Sequence, residues 1–144
     1  MRSLLLALSV VLPVTLSVLP TPLLAANPVE AVTESGAGIA LRLVELAAKQ
    51  EVAATDPRVA TTQAQLKKAT QLTGESEQAV AAACTRAARF IFDATKAPAT
   101  PLDVLDALAA KGKGRSMSDT IGAYVAARRN AAGKTHAEAM AAMK

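Results

Sequence analysis

Apolar positions along this chain recur at intervals of three and four, and no stretch alternates with period two. The clearest run lies between Thr73 and Lys96. There Val80, Cys84, Ala87 and Ile91 step by four, three and four, while Arg86, Arg89, Asp93 and Lys96 step by three, four and three. This places one buried and one wet stripe on a single helix. Phe90 and Phe92, the only phenylalanines, flank Ile91, so this helix is expected to supply the widest contact surface of the fold.

Shorter helices are expected on either side of it. Upstream, Val32, Ile39, Leu43 and Leu46 share one face opposite Arg42, Glu45 and Lys49, in a helix that begins near Pro28 or at Ser35. Asp56 before Pro57 is a helix start, because the carboxylate accepts an orphan N–H and proline has none to lose. It opens a helix over Pro57–Leu72, with Gly74 as its left-handed stop. That boundary is either a true break or a kink in one long helix running to Lys96.

Downstream, two prolines at 98 and 101 break the pattern across 97–101. Thr100, Pro101 and Asp103 then start a short helix carrying Leu102, Val104, Leu105 and Leu108, which ends at Lys111–Gly112. Ser116 or Ser118 caps a fifth helix with Ile121, Tyr124 and Val125, closed by Gly133. Thr135 and Glu138 form a capping box for a last helix with Met140 and Met143 inward. No hairpin dipeptide occurs, and the break signatures do not repeat at a constant interval. The expectation is an all-α fold, a small compact bundle of five to six helices, over a single domain at 26–144.

The first 25 residues fall outside this pattern. A positive start at Arg2, an uncharged apolar run over Leu4–Leu19 and small residues at Ala25 and Ala26 describe a secretory signal peptide cleaved after one of those alanines. Pro13 and Pro20 interrupt the run, which is shorter than the roughly 20 residues of a bilayer span. The processed chain is therefore expected to be exported, periplasmic or secreted, and not membrane-spanning.

The formal charge is +4, with eight basic and eight acidic residues over 27–100 but seven basic and four acidic over 101–144. This excess is far from a dense Lys/Arg block, and stacking aromatics are scarce, so a nucleic-acid partner is not expected. Alanine dominates the apolar half of the composition, and small side chains bury little area, so close helix approach has to supply the stability.

Candidate chemistry is sparse. Cys84, the lone cysteine, lies on the inward stripe and reads as a small hydrophobe; a disulfide-linked dimer through it is the alternative. His136, Met140 and Met143 fall four and three apart, an imidazole and two thioethers on one helical face, a set of soft ligands that suits copper(I). The loop Lys111-Gly112-Lys113-Gly114-Arg115-Ser116 precedes a helix N-terminus and is the best anion site expected, with Arg128 and Arg129 as its extension. Gly133-Lys134-Thr135 resembles the end of a phosphate-binding loop, but Arg128 stands where its first glycine belongs. Asp103 and Asp106 read as solvated charges.

With one histidine, one cysteine and no clefted acid pair, the chain is expected not to be an enzyme and to need no cofactor. The leading expectation is a small exported helical protein that works by surface contacts with a protein or an anionic envelope component. An anion- or envelope-surface-binding module using the basic loop is the alternative, and a copper carrier a remote one.

Overall fold

The computed structural model describes residues 36–130 and 135–144. The leader, its cleavage site, Val32 and the Gly133 stop lie outside the described residues. Those described form six helices and no strand: α1 (Gly36–Ala48), α2 (Pro57–Thr73), α3 (Glu77–Thr95), α4 (Pro101–Lys111), α5 (Met117–Arg129) and α6 (His136–Ala142). No described helix is long and apolar enough to cross a membrane.

Local chemistry sets the boundaries. Asp56 accepts from the Arg58 N–H at 2.9 Å with Pro57 in the first turn, and Gly74, at φ 73°, ends α2 by donating to the Thr70 carbonyl at 2.8 Å. Ser76 then caps α3 by accepting from Ala79 N–H, so α2 and α3 are separate helices and not one kinked rod. Thr100 and Asp103 exchange bonds at 3.2 and 2.9 Å, and Thr135 and Glu138 at 3.2 and 3.0 Å, each pair a complete capping box. Ser116, rather than Ser118, caps α5.

The main core gathers Leu66 of α2, Val80, Cys84 and Ile91 of α3, Val104, Leu105 and Leu108 of α4, and Tyr124 of α5, all 0% exposed. Ala83, Ala87, Ala88 and Ala107 are buried between them, and the absence of bulk there lets the helix axes draw together. A smaller cluster of Ala40, Val44 and Val59 seals α1 onto α2.

Three large apolar residues are left outside. Phe90 is 51% exposed, Phe92 49% and Leu46 54%; of the three, Leu46 was expected on the apolar face of its helix. Helical phase explains this. At 3.6 residues per turn, the two phenylalanines lie about 100° to either side of Ile91, so a stripe centred on Ile91 leaves both at its margins. In α1 the buried set is Ile39, Ala40, Leu43 and Val44, and Leu46 falls about 90° from its centre.

Candidate functional site

Two features stand apart from ordinary packing. The first is a polar chain that runs through the bundle from α2 to the α3–α4 connection. Gln65 of α2 donates from Nε2 to Asp106 Oδ1 at 2.8 Å, and the other oxygen of this α4 carboxylate lies 3.0 Å from His136 Nε2. His136 Nδ1 lies 2.8 Å from the Tyr124 hydroxyl, and Arg128 Nη1 donates to that hydroxyl at 3.1 Å. Arg128 Nη2 donates to the Pro98 carbonyl. Four helices and one connection are thereby tied through five side chains.

The partners assign the protons. A carboxylate only accepts, so His136 carries a hydrogen on Nε2; in the neutral ring Nδ1 then offers its lone pair to the Tyr124 O–H, and the phenolic oxygen receives Arg128. Burial pushes the Tyr124 phenol above its ordinary value of 10.0, while Arg128 opposes that shift through its hydrogen bond and charge. Arg128 itself is only 2% exposed, and its guanidinium carbon sits 5.9 Å from the Tyr124 ring centroid.

A histidine with a carboxylate on one nitrogen and a hydroxyl on the other has the pattern of an activated nucleophile. Here the hydroxyl is 0% exposed and already engaged on both sides, so no substrate atom reaches it. As it stands, the arrangement fixes α6 against α4 and α5. Asp106, read from the sequence as a solvated charge, is a junction of this network, and Asp103 closes the α4 capping box.

The structure disperses the basic set proposed from the sequence. Lys111 Nζ donates to the Met143 carbonyl and Arg115 Nη2 to the Lys144 carbonyl, each at 2.8 Å, so these two cations hold the last residues of the chain. Gly112 is the buried C-cap of α4, and Gly114 takes φ 74° in an exposed turn beside Lys113. Ser116 is occupied as the α5 cap, with Asp119 already placing negative charge in the first turn. Arg128 is buried in the polar chain and so is not available to the loop. Arg129 sits at the far end of α5, about 20 Å along the axis from Ser116, and with Lys96 lines a crevice against the end of α3.

Of the soft-ligand set, His136 has both ring nitrogens engaged, Met143 is 5% exposed, and Met140 packs partly buried against the core. A copper ion would have to displace Asp106 or Tyr124 from the ring. No group of three or more His, Cys, Asp or Glu among the described residues is placed to hold a metal ion. The Cys84 sulfur is enclosed at 0% exposure, and burial pushes its thiol up to about 12, so a disulfide to a second copy would require α3 to turn.

The second feature is the outer side of α3. Phe92 and Leu46 face a groove of ≈ 350 Å³ whose other wall is the Pro98–Pro101 connection. On the opposite flank, Phe90 joins Met117, Ile121 and Val125 over a floor of Ala83 and Ala87, in a groove of ≈ 470 Å³. Between the two flanks runs a ridge of Arg86, Arg89, Asp93 and Lys96.

Comparison with known protein families, with curated proteins and with solved structures finds no match.

The sequence reading passed over the polar chain because its members are far apart, Gln65 and Asp106 by 41 positions and Asp106 and His136 by 30. One signal was within reach. Tyr124 and Arg128 are spaced four apart on α5, and a buried tyrosine directs its i+4 neighbour inward as well.

Proposed function

We propose that this protein is a small, exported, non-enzymatic helical protein that acts by surface contact, and that the contacting surface is the outer side of α1 and α3. The observation that carries this reading is the exposure of Leu46, Phe90 and Phe92 at about half each, in a fold whose other described large apolar side chains are buried or half-buried. Leaving such a side chain in water forgoes part of the roughly 1.5–3 kcal/mol that full burial returns. An apolar patch with a polar rim is the common form of a protein-binding surface. The closed polar chain supports the non-enzymatic half of the reading, since the one histidine and the one tyrosine are used up in holding α6.

The test is photo-crosslinking in the source envelope fraction, with a photoreactive phenylalanine analogue at position 92. Discrete adducts are expected. Crosslinks confined to water would remove the reading. The basic loop is a second place for an anion because Lys113 projects from the exposed turn at Gly114. Its own signature is binding to acidic vesicles that disappears in Lys113→Ala as well as in high salt.

A further inference from the structure

The groove beside Phe92 has a charge pattern that narrows its occupant. Its floor and walls are apolar, from Leu46, Ala88, Phe92, Pro98 and Pro101, and the charged side chains lining it are Lys49 and Arg89, with no carboxylate among the described lining residues. Lys96 stands beside the groove and not in its lining, a third cation whose Nζ is 5.9 Å from the Phe92 ring centroid. Asp93 is the near acid, 3.8 Å from Arg89, in a pair whose side chains are 85% and 62% exposed and so weakly held. On the far side of Leu46 the surface turns mixed, with Arg42 and Lys49 beside Glu45 and Glu51, so the positive excess is a property of this groove and not of the whole face.

Two of the three cations stand where the backbone disfavours them. Lys49 at φ 56° and Lys96 at φ 57° are the only described non-glycine residues with positive φ. One follows the last turn of α1 and the other caps α3. Glycine is the residue that such left-handed helix ends ordinarily take, as α2 does with Gly74. Lysine at a helix C-terminus answers the exposed carbonyls, which accounts for a cation at each end. That explanation does not require one of them to line the apolar groove and the other to stand over the ring of Phe92 at its wall. Strained residues of this kind collect where a site needs their side chains.

From this we infer that the groove between α1, α3 and the Pro98–Pro101 connection docks an acidic, apolar polypeptide segment of a partner, with Leu46 and Phe92 taking its apolar side chains and Lys49, Arg89 and Lys96 its carboxylates. The inference rests on the surface-contact reading and deepens it. A peptide suits the site better than a bilayer, because a concave apolar surface is filled by a protruding side chain, whereas a lipid surface is flat on this scale. Charge complementarity of this sort sets partner choice and encounter rate.

The experiment uses the labelled protein on an array of decapeptides in which Leu and Phe alternate with Glu, Gln or Lys, together with sedimentation on phosphatidylglycerol vesicles. The Glu series should retain about tenfold more protein than the Gln series, and the excess should fall as NaCl rises from about 50 to about 500 mM. The double variant Lys49→Gly/Arg89→Gln should lose that excess while melting no lower than the parent, since glycine relieves the left-handed turn and the Arg89 pair is exposed. Equal retention of the Glu and Lys series overturns the inference, as does a Glu preference that the double variant keeps. Vesicle binding without any peptide preference overturns it in favour of a lipid surface. If crosslinks still form at position 92 while the array shows no preference for acid, the inference fails and the surface-contact reading stands; if the crosslinks are absent, both fail.

Discussion

Removing one oxygen atom, in Tyr124→Phe, separates a polar chain that holds the bundle from one that merely decorates it. The ring keeps its packing at 0% exposure, so no cavity of consequence forms. What is lost is the acceptor for Arg128 Nη1 at 3.1 Å and the donor to His136 Nδ1 at 2.8 Å. The two losses are unequal. His136 is 30% exposed and can turn to water, whereas Arg128 is 2% exposed and keeps its charge. A hydrogen bond to a buried charged group contributes about 1.5–3 kcal/mol, so the guanidinium side decides the outcome, and a total near 2–3 kcal/mol is expected. With a urea slope of roughly 1–3 kcal/mol per molar, the midpoint should drop by about 0.7–3 M. Equilibrium urea unfolding followed by circular dichroism reads this directly. Combining the change with His136→Ala should give a coupling of at least ~0.5 kcal/mol, because the two residues share one bond. If Tyr124→Phe unfolds within ~0.5 kcal/mol of the parent, the hydroxyl is not holding Arg128, and the chain from Gln65 to Pro98 is not a structural unit.

Other expectations follow from single residues. Cys84 should resist thiol reagents at pH 8 in the native protein and react only on unfolding, a contrast a colorimetric thiol assay measures; rapid native reaction would contradict its burial. Because its folded value, about 12, lies above the ordinary 9.0, the fold keeps its proton while the unfolded chain loses it. Stability should therefore decline as pH rises from about 9 toward 12, by up to ~1.4 kcal/mol per unit from this group, a slope that Cys84→Ala should flatten. At the acid end, the Arg58 hydrogen bonds and charge hold Asp56 down at about 2 from 3.8. The stabilisation it brings is complete above pH 4 and is lost as pH falls through about 2, so the acid limb of a pH titration of melting temperature should shift in Asp56→Asn. Gly74→Ala meets no atom within 4 Å but must sit at φ 73°, so a loss near ~1 kcal/mol from the backbone alone is expected by thermal melting.

Signals confined to one helix turn were legible in the sequence. Asp56-Pro57, Gly74, Thr100-Pro101-Asp103 and Thr135-Glu138 each settle a boundary with groups no more than four residues apart, and the structure uses all of them. Inward phase was legible where apolar residues recur at four, three and four, as at Val80, Cys84, Ala87 and Ile91, all of them buried. That pattern left open where Phe90 and Phe92 face, the two bulky residues that flank Ile91. Phe90, Ile91 and Phe92 cannot all face one core, and the winner is set by the alanines around Ile91, which let α4 and α5 close in at Ala83, Ala87 and Ala88. The polar chain and the cationic groove depend on contacts across 12 to 41 positions, where spacing along the chain carries no information. The charge count put the positive excess in the last third, yet the cations lining the groove are Lys49 of the α1 end and Arg89 of α3, 40 positions apart, which only folding brings together.

The central claim is that this chain meets other molecules through the outer side of α1 and α3. Its most direct test compares the photoreactive phenylalanine at position 92 with the same analogue at position 113, in the exposed basic turn, within one envelope preparation. The account predicts discrete adducts at 92 that outnumber those at 113 and weaken when Leu46 becomes Ser. Adducts at 113 with none at 92 would contradict it and move the working surface to the loop.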